Sequence, residues 1–526
     1  MRCNPTSVRP VGMAAATGCL LAAAGFLMVA SEGRAQDAAT NAATAEMPAG
    51  LRVRIKLDVH GELLAPVGPG APAVREPVEM TARFDFKETS HAASTAETPA
   101  AVAVCRSYRD ATAAMRFGDA TTTATLAADA RQLLVARQGT TPMPYLPDGF
   151  LSGEESDLLE TPFDSLLLDD LLPREPVSIG QTWEIPADLT AGLLAIDTVE
   201  SGSIEARVQE VSEGRAKVTF AGIIDGAVDG VPTHVTVEGS FAVAATDDAA
   251  ADASTDASTD ASTDAESPFY RLQGRVLHVS ADIRERRQAS HVAPGFEVEA
   301  RLVVARTALD SAPETAAKQT VDAVVGEDAE DSSAAPAQGQ LSRRRGEGGP
   351  GRVWYRDTKG RFDLVHDTRW RRVENGENGM VMRLVDRGAL VGQCSITSLP
   401  QAAAASLPTR DDVQRDIERS LAGQVVHSDA TDESDRADGL RVVRIASAGT
   451  AGRLPFRWIH YVLAAQDGSR VSVTFMFEES MVQRFGDADR PLIDGLRLTA
   501  STPTQENRSP EGPTAAAPGD GRQPTR

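Results

Sequence analysis

The sequence predicts a mostly antiparallel β domain followed by an α+β domain, and three observations carry that prediction. Apolar and polar residues alternate in six separate stretches before residue 310, the pattern of strands with one dry and one wet face. The region after residue 350 mixes the same alternation with helical spacing. Between them lies a polar stretch without apolar periodicity, and a chain of 526 residues is long enough for about two to four domains.

The chain opens with Arg2, Arg9, an apolar run from Met13 to Ala30, and the small-residue pattern Gly33-Arg34-Ala35 ahead of Gln36. This predicts a secretory signal peptide over 1–35, removed before Gln36, and a polar leader over 36–50. The apolar run also reaches roughly the 18 residues that span a bilayer, so the same segment left uncleaved would be an anchor. Cleavage ahead of Cys19 would leave the apolar run on the mature chain, which argues against lipidation there.

The β domain is read over 51–306. Leu51, Val53, Ile55, Leu57 and Val59 alternate with polar residues, and so do Val78 to Phe86, Ile204 to Val208, Ala216 to Phe220, Val235 to Val243 and Phe296 to Val304. Half-buried strands joined by short polar turns such as Ser212-Glu213-Gly214 belong to antiparallel sheets. A leucine-rich interruption, Glu154 to Leu159 and Asp164 to Leu172 up to Pro173, predicts helix, with a second short helix over Ala187 to Ala195. Both need an apolar partner and are expected over one face or mouth of the sheet. Residues 244–267, with Asp-Ala-Ser-Thr three times in succession, are expected to form a disordered loop, and 307–350 a disordered linker.

The α+β domain is read over 351–500. Met380 to Val385 and Leu390 to Ile396 form a hairpin turning at Asp386-Arg387-Gly388. Thr409 caps a helix with Asp412 three residues on; Val413, Ile417 and Leu421 line one face and Gly423 stops it. Strands follow at Leu440 to Ile445, Phe456 to Ala465 and Val471 to Phe477, then a helix with Leu492, Ile493 and Leu496. Trp458 and Phe475 are read as packing the sheet against its helices, with His460 on the face of Trp458. The tail 501–526 is expected to be disordered.

Trp370, the Leu399-Pro400 break, the capped helix, Trp458-Ile459-His460-Tyr461, Val471 to Phe475 and the closing helix with Asp489 and Leu496 give 362–498 a resemblance to the PsbP/DcrB-like superfamily. The resemblance implies an α/β/α sandwich around an antiparallel sheet, used for accessory, assembly or ligand-holding roles in exported proteins. No metal-site motif of such proteins has a counterpart here. The first domain resembles a family of uncharacterised exported bacterial proteins, through Val177, Gly180 and Trp183 after a leucine-rich stretch. That resemblance implies an architecture and no chemistry.

Candidate chemistry is sparse. With 75 acidic and 53 basic residues the net charge is −22, which leaves no broad cationic footprint for nucleic acid. Gly346, Gly348 and Gly351 spell Gly-x-Gly-x-x-Gly, but after Arg343-Arg344-Arg345 in a linker they lack the strand and helix a phosphate site requires. Glu154, Glu155, Asp157, Asp164, Asp169 and Asp170 could supply a glycosidase pair, yet acidic residues at helix starts explain them as well. None of the eight histidines (60, 91, 234, 278, 291, 366, 427 and 460) sits in a zinc-hydrolase pair, and there is no Gly-x-Ser-x-Gly elbow. Cys105 and Cys394 are read as two separate small hydrophobes, with an interdomain bridge as the alternative.

The sequence therefore predicts no catalytic residue, no cofactor and no metal site. It predicts an exported protein, periplasmic or extracellular, that binds or scaffolds an envelope protein or a small ligand. Membrane contact is expected only if the signal segment stays uncleaved. The alternative is an exported hydrolase of cell-envelope or extracellular polymer, built from residues far apart in sequence.

Overall fold

The structure is a computed structural model that describes residues 50–65, 74–91, 103–247, 268–289, 294–309, 346, 348–376, 379–403, 407–420, 425–451 and 453–499. The expected signal segment, the Asp-Ala-Ser-Thr repeats, Arg343 to Arg345, Leu421 to Gly423 and residues 500–526 lie outside the described residues.

The molecule is mostly antiparallel β, arranged in several sheets. The first unit contains β1 (Leu51–Ala65), β2 (Val74–His91), β3 (Ala103–Phe117), β4 (Ala120–Thr125), β5 (Gln132–Gln138), β6 (Thr141–Tyr145) and β7 (Leu151–Ser152). After helix α1 (Gly153–Leu159) come β8 (Val177–Ser178), β9 (Thr182–Ile185) and helix α2 (Ala187–Leu194). The unit ends with β10 (Thr198–Ser212), β11 (Arg215–Val228), β12 (Val231–Asp247), β13 (Phe269–Arg287) and β14 (Gly295–Ala308). Thirteen of these strands form one sheet, with the path β6-β5-β3-β2-β1-β14-β13-β12-β11-β10-β9. The six alternating stretches all fall on its strands, odd positions of β1 facing the core and even positions facing out.

The path has ten inter-strand steps, which laid flat would span about 48 Å at the usual strand spacing. Yet both of its ends touch α2: Thr140, in the β5–β6 turn, donates its hydroxyl to the Asp188 carbonyl at 2.9 Å, and Ile185 of β9 leads directly into the helix. The sheet must therefore curl around its apolar face. That interior is filled by Phe163, Leu167, Leu168, Leu171, Leu189 and Leu193, all buried in the same cluster as the strand side chains. Each such side chain contributes roughly 1.5–3 kcal/mol by leaving water.

The predicted helix from Asp164 to Leu172 is not formed; the segment runs in turns with a short 3-10 piece at Leu168–Leu171. Long-range bonds override its helix propensity. Asp164 pairs with Arg106, Asp169 with Arg306 of β14 and the Val276 amide of β13, and the Leu171 carbonyl accepts from the Trp183 indole. Two expected bounds also shift. β12 continues to Asp247, four residues into the expected loop at 244–267, and β14 runs through Ala308, past the expected start of the linker.

The second unit comprises β15 (Arg352–Arg356), β16 (Phe362–Asp367), β17 (Trp370–Gly376), β18 (Gly379–Asp386), β19 (Ala389–Leu399), helix α3 (Arg410–Ser420), β20 (Val425–Asp435), β21 (Arg441–Ala451), β22 (Leu454–Ala464), β23 (Arg470–Glu478), α4 (Val482–Phe485), α5 (Asp489–Gly495) and β24 (Leu496–Leu498). Seven strands form an antiparallel sheet in the order β17-β18-β19-β23-β22-β21-β20. One face buries Trp370, Met382, Cys394, Ile459 and Phe475 against Phe485, Leu492 and Ile493. On the other face Val413 and Ile417 of α3 cover Val443, Ile445 and Val462. Thr409 and Asp412 cap α3 reciprocally: the Asp412 amide donates to the Thr409 hydroxyl at 3.3 Å, and the Thr409 amide to the Asp412 carboxylate at 3.1 Å.

Register separates the two aromatic residues that were expected to work together. Ile459 lies opposite Phe475, and Trp458 opposite Met476, so Trp458 and Phe475 face opposite sides of the sheet. Both are buried, and His460 shares the side of Trp458. Cys105 and Cys394 are free thiols in different sheets.

The two units meet in a third, four-stranded sheet, β24-β16-β15-β7, in which β7 of the first unit pairs in parallel with β15: Leu151 lies opposite Val353 and Ser152 opposite Trp354. Phe150, Trp354 and Val365 form a small apolar cluster across this seam. The glycine string explains itself here. A Cβ on Gly348 would lie 1.8 Å from the Leu146 carbonyl, and the Gly348 amide donates to the Pro147 carbonyl at 3.1 Å. Gly346 and Gly348 let the chain press against the first unit.

Candidate functional site at the domain joint

A cluster of ionisable groups lies where the units meet. Ser152 begins it by capping α1: the Glu155 amide donates to its hydroxyl at 3.2 Å, and the Ser152 amide donates to the Glu155 carboxylate at 3.0 Å. With Glu155 tied down in this box, Glu154, Asp157 and, just past the helix, Glu160 project toward the second unit, where Arg371 and Arg372 act on their charges. From β17 come Arg371 and Arg372. Trp370 enters the core, so its neighbour Arg371 must point to the opposite face of the sheet, toward the first unit.

The Arg372 guanidinium pairs with Glu154 at 2.8 Å; with the Glu154 side chain 63% exposed, this is a rim contact worth about 0.5 kcal/mol. The Nε of Arg371 lies 3.5 Å from Oδ1 of Asp229. Asp229 and Gly230 form the tight β11–β12 turn, both with positive φ (53° and 75°), and the Asp229 amide donates to buried Asp197 at 2.6 Å. Four carboxyl groups thus face one guanidinium.

Burial, which disfavours the charged form, pushes the Glu160 carboxyl up to about 8 even though Arg371 opposes it, and pushes Asp157 up to about 6 against Arg372 and Arg371. Burial also works against the charge of Arg371, but Glu160, Asp229, Asp197 and Asp157 outweigh it and raise its pKa. His366 of β16, behind the pair, is buried, which lowers its imidazole to about 4. Arg371 Nε and Nη2 and Asp229 Oδ1 are buried without a hydrogen-bond partner. Beside them runs a small cleft of about 60 Å³, lined by Thr141, Met143, Ser156, Glu160, Thr368 and Arg371 among others.

Of the carboxylates singled out in the sequence, Glu154 and Asp157 face the arginines of β17, while Asp164 lines the cleft but is engaged elsewhere. Asp164 forms a two-pronged pair with buried Arg106 at 2.6 and 2.9 Å, and Arg106 also holds Glu88 at 2.9 Å. Asp169 pairs in the same two-pronged way with Arg306 at 2.7 and 3.0 Å, and Asp170 pairs with Arg137. His460 contacts the Thr474 hydroxyl at 3.1 Å, and burial lowers its pKa to about 4. Sequence reasoning missed Glu160, Asp197, Asp229, His366 and Arg371. The one signal available was Trp370-Arg371: a core aromatic in a strand sends the next side chain to the other face. Among the described residues no group of three His, Cys, Asp or Glu is placed to hold a metal ion, and no helix is long and apolar enough to cross a membrane.

No known family profile matches the chain, and no curated protein does. Among solved structures, cyanobacterial PsbP from Synechocystis sp. PCC 6803 aligns over 100% of its own length and 31% of this chain, at 16% identity and a TM-score of 0.25. A mutant porin of Rh. blastica aligns over 81% of this chain and 99% of its own at 10% identity and TM-score 0.09. A BenF-like porin from Pseudomonas fluorescens Pf-5 covers 82% of this chain and 98% of its own at 6% identity and TM-score 0.11. At these scores the similarities carry no argument about fold or function.

Proposed function

We propose that this chain is an exported, envelope-associated protein, periplasmic or extracellular, that works by binding or scaffolding an envelope protein or a small ligand, with a PsbP/DcrB-like α/β/α sandwich as its second unit. One observation carries the reading. The acidic leucine-rich segment, the part of the sequence with the most catalytic promise, is an internal brace: Glu155 closes a helix cap, Asp164 grips Arg106, and Asp169 grips Arg306 inside the curled sheet. These carboxylates hold the filling of the sheet to its wall. The competing reading, a hydrolase of envelope or extracellular polymer, draws on a different observation, the pair Asp157 and Glu160 holding protons near neutrality beside an open cleft.

Tagged full-length chain purified from the exported fraction after mild crosslinking, followed by mass spectrometry, separates the two. A partner protein or small molecule recovered in stoichiometric amount supports the binder. Release of soluble fragments from purified envelope polymer, lost in a folded Glu160→Gln variant, would overturn it.

A further inference from the structure

Beyond that reading, we propose that the joint is a proton-dependent clamp between the two units, closed while Asp157 and Glu160 retain protons beside Arg371 and opening as both ionise. The geometry is that of a contact made to be reversible. Among the described residues the seam includes a two-residue parallel ladder, the Phe150, Trp354 and Val365 cluster, the close approach of Gly348 to Leu146, and two touching hairpin tips, where Gly388 abuts Thr198 and Ala227 and Gly230 abuts Leu390. Its polar centre is unbalanced. Glu154, Asp157 and Glu160 from α1 and its end, Asp197 before β10, and Asp229 from the β11–β12 turn set five carboxyl groups against the two guanidinium groups of β17, Arg371 and Arg372, with neutral His366 of β16 behind them.

Two further charged groups reach the same cleft and are already engaged elsewhere: Asp164 with Arg106, and Arg352 over the Phe150 ring. The central Arg371–Asp229 contact, at 3.5 Å, is an ion pair without a hydrogen bond, and Arg371 Nε and Nη2 and Asp229 Oδ1 stay buried without a hydrogen-bond partner. Closing the joint with every carboxyl ionised would crowd like charges in a poorly hydrated seam, whereas protons on Glu160 and Asp157 remove that repulsion. The sign follows from linkage. Carboxyls whose pKa values are raised on closing bind more protons closed than open, so closure strengthens as pH falls from about 8 toward the ordinary carboxylate range.

Hydrogen–deuterium exchange of the full chain, corrected for intrinsic rates and compared at pH 6 and pH 8.5, tests the clamp. Amides of 146–152 and 348–354 should lose at least about tenfold in protection at the higher pH, while β11 to β14 keep theirs. Glu160→Gln should retain protection at pH 8.5, and Arg371→Gln should lose it at both values. Equal protection of the parent's seam at the two pH values, or a folded Glu160→Gln variant that loses protection as the parent does, would overturn the proposal. Should Glu160→Gln fail to fold, the parent profile and Asp157→Asn, expected to shrink the loss, decide it.

Discussion

Arg106 shows how much one side chain can organise. Its guanidinium, buried on β3, meets Glu88 of β2, Asp164 and Ser165, and stacks over Phe86 at 4.9 Å, so sheet wall and leucine-rich filling share one ion network. Replacing it by Ala strands two buried carboxylates, and the expected loss is about 3–5 kcal/mol in a chemical denaturation series. An unchanged midpoint would show that the network is hydrated. Trp458 makes a second test. At 3% exposure its replacement by Ala should cost about 3–5 kcal/mol, and a variant that unfolds like the parent would place the indole at the surface.

At the scale of elements, the cap of α1 is the point where local sequence decides the joint. Ser152→Ala should cost about 1 kcal/mol and loosen the approach of Glu154 and Asp157 to β17, read as faster amide exchange in α1. Strands of β1, β2, β10, β11, β12 and β14 were legible because each has one wet face, which imprints a period of two on the chain. β3 was not legible: two of its inward residues are Ala, Arg106 also points inward, and a bulge opposite Asp85 and Phe86 breaks the alternation. β20, at the sheet edge, reads Val-Val-His-Ser-Asp-Ala-Thr-Asp-Glu-Ser-Asp, with no sustained apolar–polar alternation to read. The joint was hidden for another reason. Its members come from five stretches between residues 154 and 372, each with an ordinary local context, and only the meeting of β7 with β15 assembles them.

For the whole molecule, opposing titrations set a stability optimum. His366 and His460 are held near 4, below the ordinary 6.5, so the unfolded chain takes up protons first and stability falls as pH drops from about 6.5 to 4. Asp157 and Glu160 act the other way, costing stability as pH rises toward about 8. Thermal melts from pH 4 to 9 should therefore peak near pH 6, and a melting temperature rising steadily to pH 9 would contradict the assignment. Limited proteolysis within 307–350 should leave fragments near 51–306 and 351–500 that co-elute at pH 6, held by the β7–β15 seam; immediate separation would show the seam too weak to matter.

The pairing of β1 with β14 has a consequence in time. Leu51 lies opposite Ala308, so β1, the first strand among the described residues, waits during synthesis for almost the last of its unit before one whole edge is satisfied. Until then β1, β2 and β3 can form only a meander with an open, apolar-faced flank, the kind of edge that recruits other chains. Premature termination anywhere before Gly295 should accordingly yield a product that associates with itself rather than a smaller stable fold. Folding of this protein should be slow, set by closure of that long loop rather than by its helices.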